Sequence, residues 1–355
     1  MEHTESANKR IIWIDAAKFA AIMAVYLDHS FYSGMYYNKI IFFLTFYSVG
    51  LFILLMGITT YQSCKRSTFH LKIKLWKILL PYITAAIIYY IYYNDGLDFG
   101  KLFTGLVHFD IANHFYYILV YIQLVLITPV VFSVFRRTDS KNNATLWKIL
   151  VFIIIIFISY LTTNYTYILN VYGGGKRLFG GTFLILFYIG MWFADFYEKK
   201  ALKKQHFIVL FITSAILLVI WMCFISLNQY NFDKLFPFGN GLNPPGVTLC
   251  IYSFLILLTI SSLGNLLSFY PNSFLNKGFR AFSSVGKHTL YMYLYHWLIL
   301  RNIFPKLSEK YGYFFINKNL TRFLIIMTSI IVPIVIEYIM KNILKFLKNC
   351  YENTD

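Results

Sequence analysis

The chain has 355 residues, of which 58% are hydrophobic and only 13% are charged. A soluble domain carries roughly 25% charged residues, so this composition excludes a soluble enzyme, an intrinsically disordered chain and a disulfide scaffold. The formal net charge of +17 would indicate nucleic-acid binding in a soluble protein, but membrane proteins collect Lys and Arg in their cytoplasmic loops. We therefore expect an all-α membrane protein with no nucleic-acid partner.

Ten segments have the length and apolar character of membrane-spanning helices, which need about 20 mostly apolar residues each. They cover residues 11–30, 39–62, 76–93, 113–135, 147–169, 181–197, 206–227, 247–268, 288–304 and 321–346. This pattern predicts a polytopic bundle of about ten transmembrane helices. The bundle would form a single domain over residues 1–355, with no separate soluble domain.

The distribution of positive charge predicts the orientation of this bundle. When the N-terminus is placed inside, Lys and Arg in the inner segments outnumber those in the outer segments by about two to one, as the positive-inside rule requires. We therefore expect both the N-terminus and the C-terminus to be cytoplasmic.

The first span carries Asp15, Lys18 and His29. Asp15 and Lys18 are three residues apart, so they share a helix face and can pair. His29 lies on the same stripe as Lys18, about 16 Å further along the helix axis. Ionisable groups inside a bilayer are costly and usually functional, and an imidazole suits general base catalysis. The alternative is a structural ion pair with an interfacial histidine.

Other polar side chains interrupt later spans. His114 begins the fourth span, Tyr293 and His296 lie within the ninth, Arg301 lies near its outer end, and Glu337 lies in the last. Each residue alone is more often structural than catalytic. Together they indicate a polar interior cavity. The histidines occupy three different spans and form no metal-ligand motif, so we expect no metal site.

A dense cationic segment precedes Pro81 of the third span. It contains Arg66, Lys72, Lys74 and Lys77. These residues would either anchor the helix ends at the inner membrane surface or bind an anionic cofactor that carries several phosphates.

The order of these motifs resembles the integral-membrane acyltransferase family 3, the O-acyltransferases of bacterial glycans. The family opens with a basic residue, ten intervening residues and a histidine, as Lys18 and His29 do here. A Phe-rich run ending in Ser-Gly follows in the family, and here Met56 replaces the serine before Gly57.

Later elements extend the resemblance over about residues 9–345. Lys74 and Lys77 stand where the family has a basic pair before Leu-Pro, with Lys in place of the more usual Arg. His114 begins the fourth span as it does in the family, and Tyr293 and His296 match a Tyr-x-x-His element.

The resemblance implies a donor, an acceptor and a location. Acyl-CoA would serve as the donor substrate, and the protein would have no permanently bound cofactor. Acetyl-CoA is the favoured donor and succinyl-CoA the alternative. The acceptor would be a hydroxyl of a cell-surface glycan or lipid-linked saccharide. The protein would be a multi-pass protein of a bacterial plasma membrane, in contact with membrane lipid and associated with a polysaccharide synthesis complex.

The resemblance also implies roles for the singled-out residues. The basic segment would bind the CoA phosphates, and Lys18 with Asp15 would position the thioester or neutralise charge. His29 would act as general base or carry the acyl group briefly. The acceptor would be oriented by four further residues, which are His114, Tyr293, His296 and Arg301.

Two other function classes use polar groups inside a helix bundle. A transporter or flippase for a glycan or lipid intermediate would tend to show paired inverted halves, and the sequence has no such symmetry. A glycan polymerase, ligase or sensor is the third class. Consumption of acyl-CoA separates the acyltransferase from both.

Overall fold

The computed structural model describes residues 11–31, 41, 44–94, 96–139, 143–164, 183–200, 202–228, 246–304, 306–307 and 318–352. This part of the chain is mainly helical and contains no β-strand, as the composition predicts.

The helices are numbered here in chain order. They are α1 (Ile12–Phe31), α2 (Ser48–Lys65), α3 (Leu71–Tyr93), α4 (Phe99–His108), α5 (Tyr116–Asp139), α6 (Ala144–Asn164), α7 (Phe183–Lys199), α8 (Lys204–Asn228), α9 (Val247–Ser268), α10 (Phe274–Gly286), α11 (Thr289–Trp297) and α12 (Lys318–Glu352). A 3₁₀ turn at Asn113–Phe115 precedes α5, and a π-helical stretch at Leu298–Ile303 follows α11.

Five helical segments in the described residues are long and apolar enough to cross a membrane. They are Leu71–Tyr93, Asn113–Arg137, Lys204–Phe224, Thr248–Ser268 and Phe323–Phe346. The chain is therefore a membrane protein, whereas the predicted total of about ten spans and the cytoplasmic placement of both termini stay predictions. Parts of the predicted spans 39–62, 147–169 and 181–197 lie outside the described residues.

The most polar predicted span forms the centre of the bundle. Helix α1 carries Asp15, Lys18 and Asp28, yet it contacts α2, α9, α10, α11 and α12. Its alanines at 16, 17, 21 and 24 are buried, because small residues let membrane helices approach closely. The Tyr26 hydroxyl donates to the Ser329 carbonyl at 2.6 Å and thereby ties α1 to α12.

A buried ion-pair network joins α2, α6 and α7 at one end of the bundle. Asp195 is only 3% exposed. It accepts hydrogen bonds from the Lys148 ammonium at 2.6 Å, the Lys199 ammonium at 2.8 Å and the Tyr61 hydroxyl at 2.7 Å. A buried carboxylate is tolerated when its charge is paired and its oxygens are hydrogen-bonded, which explains a charged residue near the end of the predicted span 181–197.

Helices α2 and α7 cross at two glycines. A Cβ atom added at Gly57 would lie 2.2 Å from the Phe187 carbonyl oxygen, and one at Gly190 would lie 2.2 Å from the Leu54 carbonyl oxygen. These separations are far below van der Waals contact, so the crossing requires residues without a Cβ atom.

Gly190→Ala is expected to lower the free energy of unfolding by about 1–3 kcal/mol, because the helices must shift apart to admit the methyl group. Thermal melting of the purified protein in detergent measures the loss. The matched control is Gly278→Ala in α10, where an added Cβ would meet no atom within 4 Å. That change is expected to stabilise by about 0.5–1 kcal/mol, since alanine is the better helix former. Equal melting temperatures for the two variants would contradict the close crossing.

Candidate active site

The predicted ion pair on α1 is present. The Lys18 ammonium lies 3.2 Å from the Asp15 carboxylate, which is 2% exposed. The two residues are one helical turn apart, so their pairing follows from helix geometry. The pair leaves the Lys18 side chain partly exposed, at 28%, and this side chain reaches a cavity.

The cavity has a volume of about 470 Å³ and lies between α1, α2, α3, α5 and the start of α11. Lys18, Lys74 and Lys77 all line it, together with His70. The Lys74 ammonium also lies 5.6 Å from the centre of the Phe69 ring. Three ammonium groups around one opening give it a positive charge, which favours an anionic ligand.

Lys72 and Arg66 are placed differently from Lys74 and Lys77. Both side chains are exposed, the Arg66 Nε donates to the Gln62 carbonyl at 3.1 Å, and neither residue lines the cavity within the described part of the chain. Lys72 points away because residues two positions apart on a helix do not share a face. The structure therefore divides the predicted basic segment into two residues that line the cavity, Lys74 and Lys77, and two that do not.

One end of the cavity is lined by aromatic rings. Phe52, Tyr117 and Tyr293 line this end. The Tyr293 ring centre lies 4.9 Å from that of Tyr117 and 6.5 Å from that of Phe52. The Tyr293 hydroxyl donates to the His114 carbonyl at 2.7 Å, which holds the ring in place. We call these three residues the aromatic layer.

Three histidines meet behind the aromatic layer. The ring centre of His296 lies 5.2 Å from that of His29, 5.0 Å from that of His114 and 5.4 Å from that of Tyr293. Trp297 packs against His29 with ring centres 4.9 Å apart. These histidines come from α1, the 3₁₀ turn before α5, and α11, so the bundle brings together residues far apart in sequence.

Hydrogen bonds to main-chain carbonyls determine which nitrogens of two histidines carry hydrogen. The His296 Nδ1 lies 2.5 Å from the Tyr293 carbonyl oxygen, and the His114 Nε2 lies 3.1 Å from the Leu294 carbonyl oxygen. A carbonyl oxygen only accepts, so each of these nitrogens donates, and in the neutral ring the other nitrogen keeps its lone pair.

One nitrogen of each histidine ring has no hydrogen-bond partner among the described residues, and that of His29, Nδ1, lies 3.6 Å from the Asp28 carboxylate. The buried His296 Nε2, His114 Nδ1 and His29 Nδ1 make no hydrogen bond to the described part of the chain. Buried polar atoms are nearly always hydrogen-bonded in a working protein. Three such atoms in one cluster therefore indicate a site for a polar group such as a hydroxyl.

Arg301 lies beside this cluster, on the π-helical stretch Leu298–Ile303. Its guanidinium carbon lies 5.0 Å from the centre of the Trp297 ring. π-Helical turns occur often at functional sites, and this one directs a cation to the side of the histidine cluster.

Glu337 belongs to neither the cavity nor the cluster within the described residues. It pairs with the His288 Nδ1 at 2.8 Å and with the Lys341 ammonium at 2.5 Å. This pairing makes the burial of the Glu337 carboxylate tolerable. Glu337 therefore joins α12 to the start of α11 and does not contribute to the predicted polar cavity.

Sequence reasoning missed three aromatic residues at the site. Phe52, Tyr117 and Trp297 were not singled out, because aromatic residues make up 20% of the chain and no local signal separates these from the others. The four-residue spacing of Tyr117 and Tyr121, which both line the cavity, is the one pattern that could have placed Tyr117 with another aromatic residue on one helix face.

The comparison with protein-family models gives one finding. A family model described as an acyltransferase domain matches residues 11–338, a range that includes every site residue named above. Comparison with curated proteins and with solved structures gives no significant match.

Proposed function

Because the chain belongs to the membrane acyltransferase family 3, we propose that it is an O-acyltransferase that uses cytoplasmic acyl-CoA. The favoured acyl group is acetyl, and succinyl is the alternative. The acceptor is a hydroxyl of a cell-surface or lipid-linked polysaccharide. The setting is a bacterial plasma membrane, beside the enzymes of polysaccharide synthesis.

One observation carries this proposal. A single cavity runs from Lys18, Lys74 and Lys77 to Tyr293, and the histidine cluster lies directly behind Tyr293. Acyl-CoA has a matching shape, since its phosphates stand at one end of a long flexible arm and its thioester at the other. The lysines bind the phosphates through charge-assisted hydrogen bonds, and the arm runs along α2 toward the aromatic layer.

In the proposed reaction His29 is the general base. A ring nitrogen of His29 takes the proton of the acceptor hydroxyl as the oxygen attacks the thioester carbonyl carbon. The carbon–sulfur bond then breaks, and the CoA thiolate leaves and receives the proton. His114 and His296 accept hydrogen bonds from the acceptor through their free nitrogens, and Lys18 neutralises charge on the donor.

The aromatic layer has a defined place in this scheme. Tyr293 lines the donor cavity and also contacts His114 and His296, so in this scheme the thioester passes this ring on its way to His29. Phe52, Tyr117 and Tyr293 thereby limit the access of water to the histidine side until the acyl group enters.

The direct test is acyl-CoA turnover by the purified protein in nanodiscs. Release of free CoA from acetyl-CoA and succinyl-CoA is followed together with labelled acyl transfer to a native glycan extract. We expect CoA release and glycan labelling with one preferred donor. Absence of thioester turnover, with extract present and the protein folded, would overturn the proposal and favour a transporter for a glycan or lipid intermediate.

Tyr293→Phe is expected to lower kcat on the order of tenfold with little change in the KM for acyl-CoA, since the lost hydrogen bond to the His114 carbonyl is worth about 1–1.5 kcal/mol. Steady-state rates over a range of acetyl-CoA concentrations measure both constants. Tyr121→Phe removes a hydroxyl from the same cavity wall and serves as the control, with activity close to wild type. Equal losses in the two variants would argue against a specific role for the Tyr293 hydroxyl.

A further inference from the structure

A second cavity lies between α6, α7, α8 and α9. Its volume is about 620 Å³, within the range of roughly 300–1,000 Å³ typical of small-molecule sites. Within the described residues it shares no lining residue with the first cavity. Helix α2 lies between the two regions, because one of its faces lines the first cavity and another crosses α7 at Gly57 and Gly190.

The second cavity is amphipathic. Aromatic and aliphatic side chains line its interior, among them Trp192, Phe193, Leu210, Phe254 and Leu258. Charged residues also line it: Lys148 forms a buried ion pair with Asp195, the single carboxylate of the described lining, and the exposed Lys199 and Lys200 lie at the cavity mouth. Asp195 is shared between Lys148 and Lys199, so the mouth is net positive.

The cavity adjoins a surface suited to lipid. On α8 the side chains of Val209, Ile212 and Ile216 are at least half exposed, and so is Phe196 at the cavity lining. Helix α8 is one of the segments apolar enough to span a membrane. An exposed apolar face on a spanning helix contacts lipid chains, so a lipid can enter the cavity sideways from the bilayer.

From this arrangement we propose that the second cavity binds one anionic phospholipid. The phosphate of the headgroup lies at the lysine mouth, and one acyl chain occupies the apolar interior. Basic pockets between membrane helices bind anionic headgroups in this way. The bound lipid packs against α7 and thereby stabilises the glycine crossing with α2, independently of whether the protein transfers an acyl group.

The experiment measures lipid binding by the purified full-length protein in a non-ionic detergent. Dioleoylphosphatidylglycerol, dioleoylphosphatidylcholine and inorganic phosphate are titrated separately, with melting temperature and native mass spectrometry as readouts. We expect phosphatidylglycerol to raise the melting temperature and to remain bound as one molecule. We expect neither of the other two to do so.

Two variants locate the site. Lys200→Glu is expected to weaken phosphatidylglycerol binding by roughly 30-fold, since charge reversal removes two units of favourable charge. Its control is Lys345→Glu, which makes the same charge change at an exposed position of α12 and should leave binding unchanged. Leu210→Trp fills the apolar interior and is expected to abolish retention of the lipid. Ile216→Trp, on the lipid-facing part of the same helix, is its control.

Three results would overturn the proposal. Equal stabilisation by phosphatidylcholine would show unspecific lipid contact, and stabilisation by inorganic phosphate would show an anion site without a lipid. Unchanged binding in both Lys200→Glu and Leu210→Trp would place the lipid elsewhere. Acyl-CoA turnover is measured separately, so failure of the lipid site and failure of the proposed function are distinguishable.

Discussion

Replacing His29 with alanine is expected to lower acyl transfer by about 10²–10⁴-fold, the usual contribution of a general base. His29 is the most accessible member of the histidine cluster, with 21% of its side chain exposed, whereas His296 is fully buried. It therefore has the best access to an acceptor hydroxyl. Initial rates of CoA release and glycan labelling in nanodiscs measure the loss.

The control for this variant is His108→Ala. His108 ends α4, is partly exposed, and lies outside both the cavity and the histidine cluster. We expect wild-type activity for His108→Ala and an unchanged melting temperature for both variants. Near wild-type transfer by folded His29→Ala would show that His29 is not the base.

A second measurement separates the two roles open to His29. If His29 carries the acyl group, labelled acetyl-CoA without acceptor should leave label on the wild-type protein and none on His29→Ala. If His29 acts only as a base, neither protein becomes labelled, although both bind the donor.

Removal of the Lys74 or Lys77 ammonium group, two of the three that line the cavity, has the second largest expected effect. Lys74→Gln and Lys77→Gln should each raise the KM for acyl-CoA by roughly tenfold or more, because a hydrogen bond to a charged group contributes about 1.5–3 kcal/mol. The value of kcat should change little, since both lysines lie at the opposite end of the cavity from the histidines. Initial rates as a function of acyl-CoA concentration measure both constants.

Lys72→Gln is the matched control for this pair. It makes the same chemical change on the same helix, but Lys72 is exposed and does not line the described cavity. We expect its KM to stay close to wild type. An equal rise in KM for Lys72→Gln would mean that general surface charge, rather than the cavity, attracts the donor.

Properties that depend on local chain geometry were predictable from the sequence. Composition determines that this is a membrane protein, because a chain with only 13% charged residues has too few polar side chains to form a water-exposed surface. Helix periodicity determines that Asp15 and Lys18 pair and that His29 lies on the Lys18 stripe. The order of the basic, histidine and Tyr-x-x-His motifs predicts the family, and the match over residues 11–338 confirms it.

Residues distant in the chain meet only through packing, and the tertiary structure alone decided which ones do. His29, His114 and His296 form a cluster, Lys74 and Lys77 line the cavity while Lys72 does not, and an aromatic layer stands between. In a soluble helix the apolar face predicts the buried face. In a membrane helix lipid is as apolar as the interior, so hydrophobicity cannot show which face of a helix is buried, and the contacts between distant helices must supply that information.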